Sequence, residues 1–371
     1  MSEGGAVAGT RAVLLVPDLA LERWPSMDRY AAALARRIPG VTVPDEALTL
    51  SGGRYLARYV RYPRALRRHR PRVVHIADHS YAHCLRSFRG VPSLVTLHDL
   101  QPVRELAARR RGPRAALRAL VLSRVVDWLA RADRWCAISA FTAGEARALL
   151  GLPEDRLSVV HCGVDEAFFA PADAARVAAA RASWLARTGG AGSASTRVVL
   201  HVGSCAPRKN LAAAVAALAE LRRGGLDARF VQVGGRFSDA RWRGAAATGA
   251  RAAVLQAGHL AEPDLLDAYH AADALVIPST YEGFGLPALE AQAAGLPVVA
   301  SRAGGLPEAV GDAGLLVDPA EPGALGEALA RVLTDAPLRA TLVAGGRRRA
   351  RRFSWDATAA AVARLYAELG A

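Results

Sequence analysis

Residues 273–301, DALVIPSTYEGFGLPALEAQAAGLPVVAS, hold one complete strand–turn–helix–strand unit. The apolar, β-branched run Asp273–Pro278 has the pattern of a strand buried on both faces of a parallel sheet. A polar, glycine-rich turn follows: Ser279-Thr280-Tyr281-Glu282-Gly283-Phe284-Gly285. A helix is expected from Leu286, with Pro287 in its first turn, where a missing N–H does no harm. Gly295-Leu296-Pro297 ends that helix, and Val298–Ala300 is the next strand. Units of this kind build open α/β sheets, which bind ligands at the carboxyl ends of their strands.

The turn carries the chemistry. Gly283 and Gly285 let the backbone approach a ligand closely, and the free N–H groups of residues 284–287 open the helix. A helix start carries roughly half a positive charge, which suits a phosphate. Glu282 stands before the turn and Glu290 one helical turn past Leu286, so both are candidates to face one cleft. A carboxylate only accepts hydrogen bonds and can take both hydroxyls of a vicinal diol. One acid on each side of a phosphate-accepting helix start suits a nucleotide-sugar, with ribose on one flank and hexose on the other. Taken singly, Glu282 reads equally well as a turn cap and Glu290 as a solvated helix residue.

The whole string Glu282-Gly-Phe-Gly-Leu-Pro-Ala-Leu-Glu290 resembles the Glu-x7-Glu signature of the family 4 retaining glycosyltransferases. Ala271-Ala272-Asp273 before it and Gly295–Ser301 after it extend the likeness. The resemblance implies an α/β protein of GT-B fold, two Rossmann-like domains whose parallel sheets face a central cleft. It implies transfer of a hexosyl unit from a nucleotide-sugar, GDP-mannose or a UDP-hexose foremost, to an acceptor hydroxyl. Glycan, lipid-linked precursor and secondary metabolite all fit as acceptor. Retention of configuration follows from the same resemblance, with no metal and no cofactor beyond the nucleotide-sugar co-substrate. A nucleotide-sugar epimerase or hydrolase of the same fold is the alternative among enzymes.

Composition agrees with that class. A chain of 371 residues accommodates two domains of ordinary size. It is 52% hydrophobic, but no apolar run approaches the ~20 residues of a spanning helix. The opening MSEGGAVAGT lacks a basic region followed by an apolar one, so no signal peptide and a cytoplasmic location are expected. Cys84, Cys136, Cys162 and Cys205 are scattered, which suits buried free thiols in a reducing compartment. No zinc-spaced cluster and no Asp-x-Asp stands ready to hold a metal.

The net charge of +14 is lopsided. Residues 1–190 hold 29 arginines, no lysine and 17 acids, whereas residues 191–371 hold 19 basic and 17 acidic residues. Residues 54–72 carry eight arginines and no acid. On a helix Arg54, Arg58 and Arg61 would share a face, with Tyr55, Tyr59 and Tyr62 beside them, until Pro63 ends or kinks it. A second tract runs from Arg104 to Arg118 and includes Arg109-Arg110-Arg111. A solvated surface, the inner face of an anionic membrane and an anionic soluble acceptor all fit these tracts. An Arg-rich nucleic-acid binder is the alternative of another class; no nucleic-acid partner is expected.

In chain order, Arg11–Asp18 is the first strand. The loop Leu19–Met27 then leads to a helix from Asp28, with Trp24-Pro25-Ser26-Met27 where the family has a glycine-rich loop. Trp24 and Ser26 are therefore acceptor-side candidates, as are Asp78 and His79 at the end of strand Arg72–Ala77. Strand Ser93–Leu97 closes on His98-Asp99. A lone buried histidine is more often packed core, but His98 ends a strand and matches the family's His-Asp, whose histidine approaches the donor sugar. A long helix is expected over Gly112–Ala132, a strand over Trp135–Ser139, and a capping box at Thr142–Glu145.

Arg197–Val202 opens the second half, followed by Gly203-Ser204-Cys205-Ala206-Pro207-Arg208-Lys209-Asn210 and an Ala/Leu helix. Two cations at a strand-to-helix turn make an anion site. The turn resembles the family's, where such cations hold the donor diphosphate. The catalytic candidates are thus His98, Arg208, Lys209 and Glu282. Gly203, Ser204, Gly283, Phe284, Gly285, Leu286 and Glu290 are the donor-binding candidates. The expected domains are residues 1–170 on the acceptor side, a linker over 171–196, and a donor domain over 197–352. Residues 353–371 are expected as a helix crossing back to the first domain.

Overall fold

The computed structural model describes residues 12–22, 25–50, 53–107, 113–190, 192–237 and 249–371; Trp24 and Arg109–Arg111 lie outside the described residues. Twelve strands form two sheets of six. The first contains β1 (Val13–Val16), β2 (Val41–Thr42), β3 (Val73–Ile76), β4 (Ser93–Leu97), β5 (Arg134–Ala137) and β6 (Leu157–Val159), in the order β2-β1-β3-β4-β5-β6. The second contains β7 (Arg197–Val202), β8 (Ala228–Val233), β9 (Val254–Gly258), β10 (Ala274–Ile277), β11 (Val298–Ser301) and β12 (Leu315–Val317), in the order β12-β11-β10-β7-β8-β9.

Every pairing between these strands is parallel. All residues of β1, β3, β4, β10 and β11 are buried, as strands covered on both faces require, and their sequences are mostly apolar, with His75 in β3, Ser93 and Thr96 in β4 and Ser301 in β11 as the polar members. The edge strands β2 and β12 span two and three residues, too short to leave an apolar run in the sequence.

Each sheet reverses its winding once: between β1 and β3 in the first, between β7 and β10 in the second. These are the switch points where open sheets take ligands.

The chain groups into two compact units, the first running to Gly163 and including Trp355–Ala371, the second spanning Val164–Ser354. Residues 171–196, expected as a linker, are packed into the second unit. Arg181, on the helix Ala174–Ala186, donates to the carbonyls of Ala271 (2.6 Å) and Thr196 (2.7 Å) and to the Asp273 carboxylate (2.9 Å). That carboxylate also accepts from the Val198 N–H, tying the helix to β7.

Three local expectations change. The helix expected from Asp28 starts at Pro25, so Ser26 lies exposed in its first turn rather than in a loop. The helix Ala140–Leu150 is capped by Ser139, whose extended backbone lets its hydroxyl accept from the Thr142 N–H at 3.0 Å; Thr142 is buried inside the helix. Pro63 does not stop the basic segment. Arg54–Leu56 passes through a π-helical stretch, Ala57–Arg61, into Tyr62–Leu66, and Pro63 occupies the first turn of that last piece. Three of the four cysteines are buried free thiols, and Cys205 is half-buried.

The helix Trp355–Glu368 is fastened to the first sheet by a buried polar chain. The Tyr366 hydroxyl lies 2.6 Å from His75 Nδ1, His75 Nε2 lies 2.7 Å from Thr96 Oγ1, and Thr96 Oγ1 lies 2.9 Å from the Tyr30 hydroxyl. Burial lowers His75 to a pKa of about 3, so the imidazole in this chain is neutral at physiological pH. Removing one hydroxyl from such a chain leaves a buried nitrogen without a partner, at about 1–3 kcal/mol. Tyr366→Phe is expected to lower the stability of the first unit by that amount in urea unfolding. A loss below about 0.5 kcal/mol would show that the bond is not used.

Candidate active site

The loops leaving β7 and β10 lie side by side at the second sheet's switch point. The Thr280 N–H donates to the Arg208 carbonyl at 2.8 Å, and Arg208 Nη1 donates back to the Tyr281 carbonyl at 3.4 Å. Pro207–Lys209 forms a single 3₁₀ turn. Asn210 closes it at φ +48°, the sole non-glycine with positive φ among the described residues, and asparagine tolerates that region well.

Glu282 is the centre of this cluster and is only 8% exposed. One carboxylate oxygen accepts from Lys209 Nζ at 2.5 Å and from the Ser279 hydroxyl at 2.7 Å; the other accepts from Arg208 Nη1 at 3.4 Å. Burial pushes the carboxyl up, but Lys209, Arg208 and the Ser279 hydrogen bond outweigh it and hold the group below the usual glutamate range.

The loop is braced from behind. Gly305 N–H donates to the Glu282 carbonyl at 2.8 Å. A methyl group on Gly304, whose φ is +59°, would overlap that same carbonyl, and one on Gly305 would overlap the Gly283 carbonyl. Gly285 takes φ +110° ahead of the helix Leu286–Ala294, and a Cβ there would sit 2.7 Å from Leu306 Cδ2. Gly283 is buried, Leu286 is the first residue of the helix, and the Phe284 ring packs edge-on to Phe353 at 5.7 Å.

Gly203 lies beside Lys209, since a Cβ on it would be 3.7 Å from Lys209 Cε. Ser204 is exposed at the turn, its hydroxyl 3.5 Å from the Ala206 N–H. Glu290 is 1% exposed and accepts from the Tyr269 hydroxyl at 2.6 Å. The structure thus gathers Arg208, Lys209, Glu282 and Gly203.

Two participants escaped the sequence reading. Ser279 was read only as part of the turn. His201, buried in β7, donates through Nδ1 to the Val276 carbonyl at 3.0 Å, and its Nε2 has no hydrogen-bond partner among the described residues. Burial lowers its pKa to about 4, leaving a neutral ring whose Nε2 lies 3.3 Å from where a Gly203 Cβ would be. A histidine interrupting an otherwise apolar strand was the available signal.

In the first unit, Asp78, His79 and His98 come together where β3 and β4 end. Asp78 caps the 3₁₀ segment His79–Ser87, accepting from the Ser80 N–H at 2.8 Å. His98 is buried, donates through Nε2 to the Ala77 carbonyl at 2.9 Å and meets the Tyr30 ring edge-on at 5.0 Å. Its pKa is lowered by burial. Ser26 is exposed on its helix.

The tract 54–66 does not present one basic face. Arg58 turns inward to the buried Glu22 (3.0 Å), to the Ser80 carbonyl (2.7 Å) and over the Tyr81 ring (4.3 Å). Tyr62 is fully buried and donates to the Pro17 carbonyl. The π-helical stretch rotates these side chains away from the register that a straight helix would give.

Two doubly wound parallel sheets, each with polar loops at its switch point, make up the architecture of the GT-B glycosyltransferases. Residues 16–168 match the family model described as Glycosyltransferase Family 4, and residues 196–335 match that described as Glycosyl transferases group 1. The D-inositol 3-phosphate glycosyltransferase of Thermobispora bispora is 38% identical over 292 residues, covering 75% of this chain and 65% of that protein. The chain therefore spans less than two thirds of that relative's length. The glycogen synthase of Mycobacterium tuberculosis is 34% identical over 308 residues, 80% of this chain and 69% of that protein. Sucrose-phosphate synthase from Thermosynechococcus elongatus matches in structure with a TM-score of 0.77 at 25% identity, covering 97% of this chain and 99% of that one. This chain belongs to the family 4 glycosyltransferases.

The lowered Glu282 carboxyl fixes the sign of a pH effect. Its contribution is complete above the unfolded value of about 4.3 and is lost as pH falls through the lower folded value. Glu282→Gln is therefore expected to be less stable than the parent near neutral pH, with the gap in urea midpoint closing in acid. A gap that stays constant with pH would contradict the ion-pair account.

Proposed function

We propose that the chain is a retaining, metal-independent hexosyltransferase that uses a nucleotide-sugar donor and no further cofactor. The observation that carries this is the Arg208–Lys209–Glu282 cluster at the second sheet's switch point. A diphosphate docked on Arg208, Lys209 and the helix start at Leu286 would receive positive charge where negative charge grows during transfer. Preorganised donors of this kind contribute ~3–4 kcal/mol each. Glu282, released from part of its ion pairing, would take hexose hydroxyls, and Glu290 the ribose, with its Tyr269 bond orienting it. His98 keeps the role that the family resemblance gives it, a contact to the transferred sugar.

We assign no residue of the described cluster the role of a nucleophile in a double displacement. In the step we favour, the bond from the anomeric carbon to the phosphate oxygen breaks while the bond to the acceptor oxygen forms on the same face. The acceptor proton passes to the departing phosphate oxygen. We assign this chemistry to the cytoplasm.

One experiment separates the roles. Glu282→Ala is expected to cut transfer at least a hundredfold, measured as nucleoside diphosphate release in the presence of acceptor. On the same samples, calorimetry of Arg208→Ala and Lys209→Ala should show about tenfold or greater weakening for the nucleoside diphosphate and little change for the nucleoside. Near-parental turnover in the first variant, or equal losses for both ligands in the others, would refute the assignments.

A second reading concerns location. Tyr55 is 77% and Leu56 55% exposed, and exposed Arg54, Arg61 and Arg64 flank them. No helix among the described residues is long and apolar enough to cross a membrane. We propose that this segment seats the enzyme on an anionic lipid surface, with Tyr55 and Leu56 at headgroup depth. In vesicle flotation, retention is expected on vesicles containing phosphatidylglycerol but not on phosphatidylcholine alone, and Leu56→Ser should reduce it. Equal behaviour on both vesicle types would leave the segment a solvated surface.

A further inference from the structure

The first sheet has its own switch point, between β1 and β3. The residues that leave those strands are Asp18 and the pair Asp78-His79. All three are buried, at 5%, 7% and 5% exposure. Buried polar groups are nearly always paired. Yet Asp18 Oδ1 and both ring nitrogens of His79 have no hydrogen-bond partner among the described residues. His79 Nδ1 stands 3.6 Å from Asp78 Oδ2, beyond hydrogen-bond reach. Asp78 gives its other oxygen to the Ser80 N–H. Burial pushes the Asp18 carboxyl well up, and the neighbouring Asp78 charge pushes the same way.

The sign of the local charge selects the ligand class. The strongest charge effects on Asp18 come from the carboxylates of Asp78, Glu22 and Asp28, which raise it, and the guanidinium of Arg58, which lowers it. Arg58 is already engaged, with Nη1 on both Glu22 oxygens (3.1 and 3.0 Å) and Nη2 on the Ser80 carbonyl. A phosphate monoester, with nearly two negative charges at neutral pH, would meet mostly carboxylates here. A metal fits no better: no group of three or more His, Cys, Asp or Glu side chains among the described residues is arranged to hold one. A hydroxyl fits. Its O–H donates to a carboxylate oxygen, and its oxygen accepts from an imidazole N–H. Neighbouring hydroxyls would supply the partners that Asp18 Oδ1 and the His79 ring lack.

We propose that Asp18, Asp78 and His79 bind the acceptor as a neutral polyol, with no phosphate beside the hydroxyls they hold. This rests on the glycosyltransferase reading above and names the class of its acceptor. It separates this chain from the relative whose name specifies an inositol 3-phosphate.

The test uses the full chain with ¹³C-labelled histidine, with and without saturating uridine or guanosine diphosphate. His79→Gln identifies the His79 signal. myo-Inositol, glucose and mannitol are titrated in turn, and then myo-inositol 3-phosphate. At least one neutral polyol is expected to shift the His79 signal saturably, and the phosphate ester to bind at least tenfold more weakly than myo-inositol. Asp18→Asn, which keeps the side chain's shape, should weaken the polyol response at least tenfold while leaving the thermal transition in place. Silence toward every neutral polyol overturns the proposal, as does an equal or stronger response to the phosphate ester. The donor reading fails separately, by absence of diphosphate binding in those samples, and its failure would not silence the His79 response.

Discussion

The short contact between Lys209 and Glu282 organises the second unit's chemistry. Desolvating two charges costs several kcal/mol per ion, which their mutual attraction offsets only in part. A pair of this kind is weak support for stability, and the fold has a large apolar core without it. Its place matters more than its strength. It sits where β7 and β10 diverge, the one position in that sheet where two adjacent loops leave in opposite windings. With Arg208 and Ser279 on the same carboxylate, both loops are held in register before any ligand arrives.

The two sheets solve one geometric problem with opposite charge. At the second switch point two cations surround one acid; at the first, the described acids outnumber the one guanidinium among them. Under the proposed function, that division suits an anionic donor at the second switch point and an uncharged hydroxyl at the first. Cations on both sides would favour a second anion, and acids on both sides would repel the first. The family relationship alone does not specify an acceptor, since its members here include an inositol phosphate enzyme and a glycogen synthase.

Much of the fold is written plainly in the chain because parallel strands covered on both faces leave mostly apolar runs. That is why β1, β3, β4, β10 and β11 stand out, and why β2 and β12, a few residues each at sheet edges, do not. The helix that begins at Leu286 was legible from its flanking glycines and Pro287, since those residues act locally. Distant partners were not. Arg58 reads as a surface charge until Glu22 and Tyr81 are folded against it. Nothing in the sequence pairs Glu290 with the Tyr269 hydroxyl, which comes from another helix. Ser139 and Thr142 are both plausible caps in sequence; the extended backbone at the end of β5 decides for Ser139. Asp18 looked like a strand terminus and nothing more, because the want of a partner for its Oδ1 among the described residues exists only in three dimensions.

The bare main chain of Gly304 and Gly305 against the carbonyls of Glu282 and Gly283 has an evolutionary corollary. With no side chain between the two segments, the rear of the turn is a hard stop that admits neither a larger residue nor a graded adjustment. A change in what this turn can meet must therefore come from other residues, such as the exposed Ser204 or the half-buried Cys205 on the neighbouring loop. The bend itself would be inherited whole or lost whole.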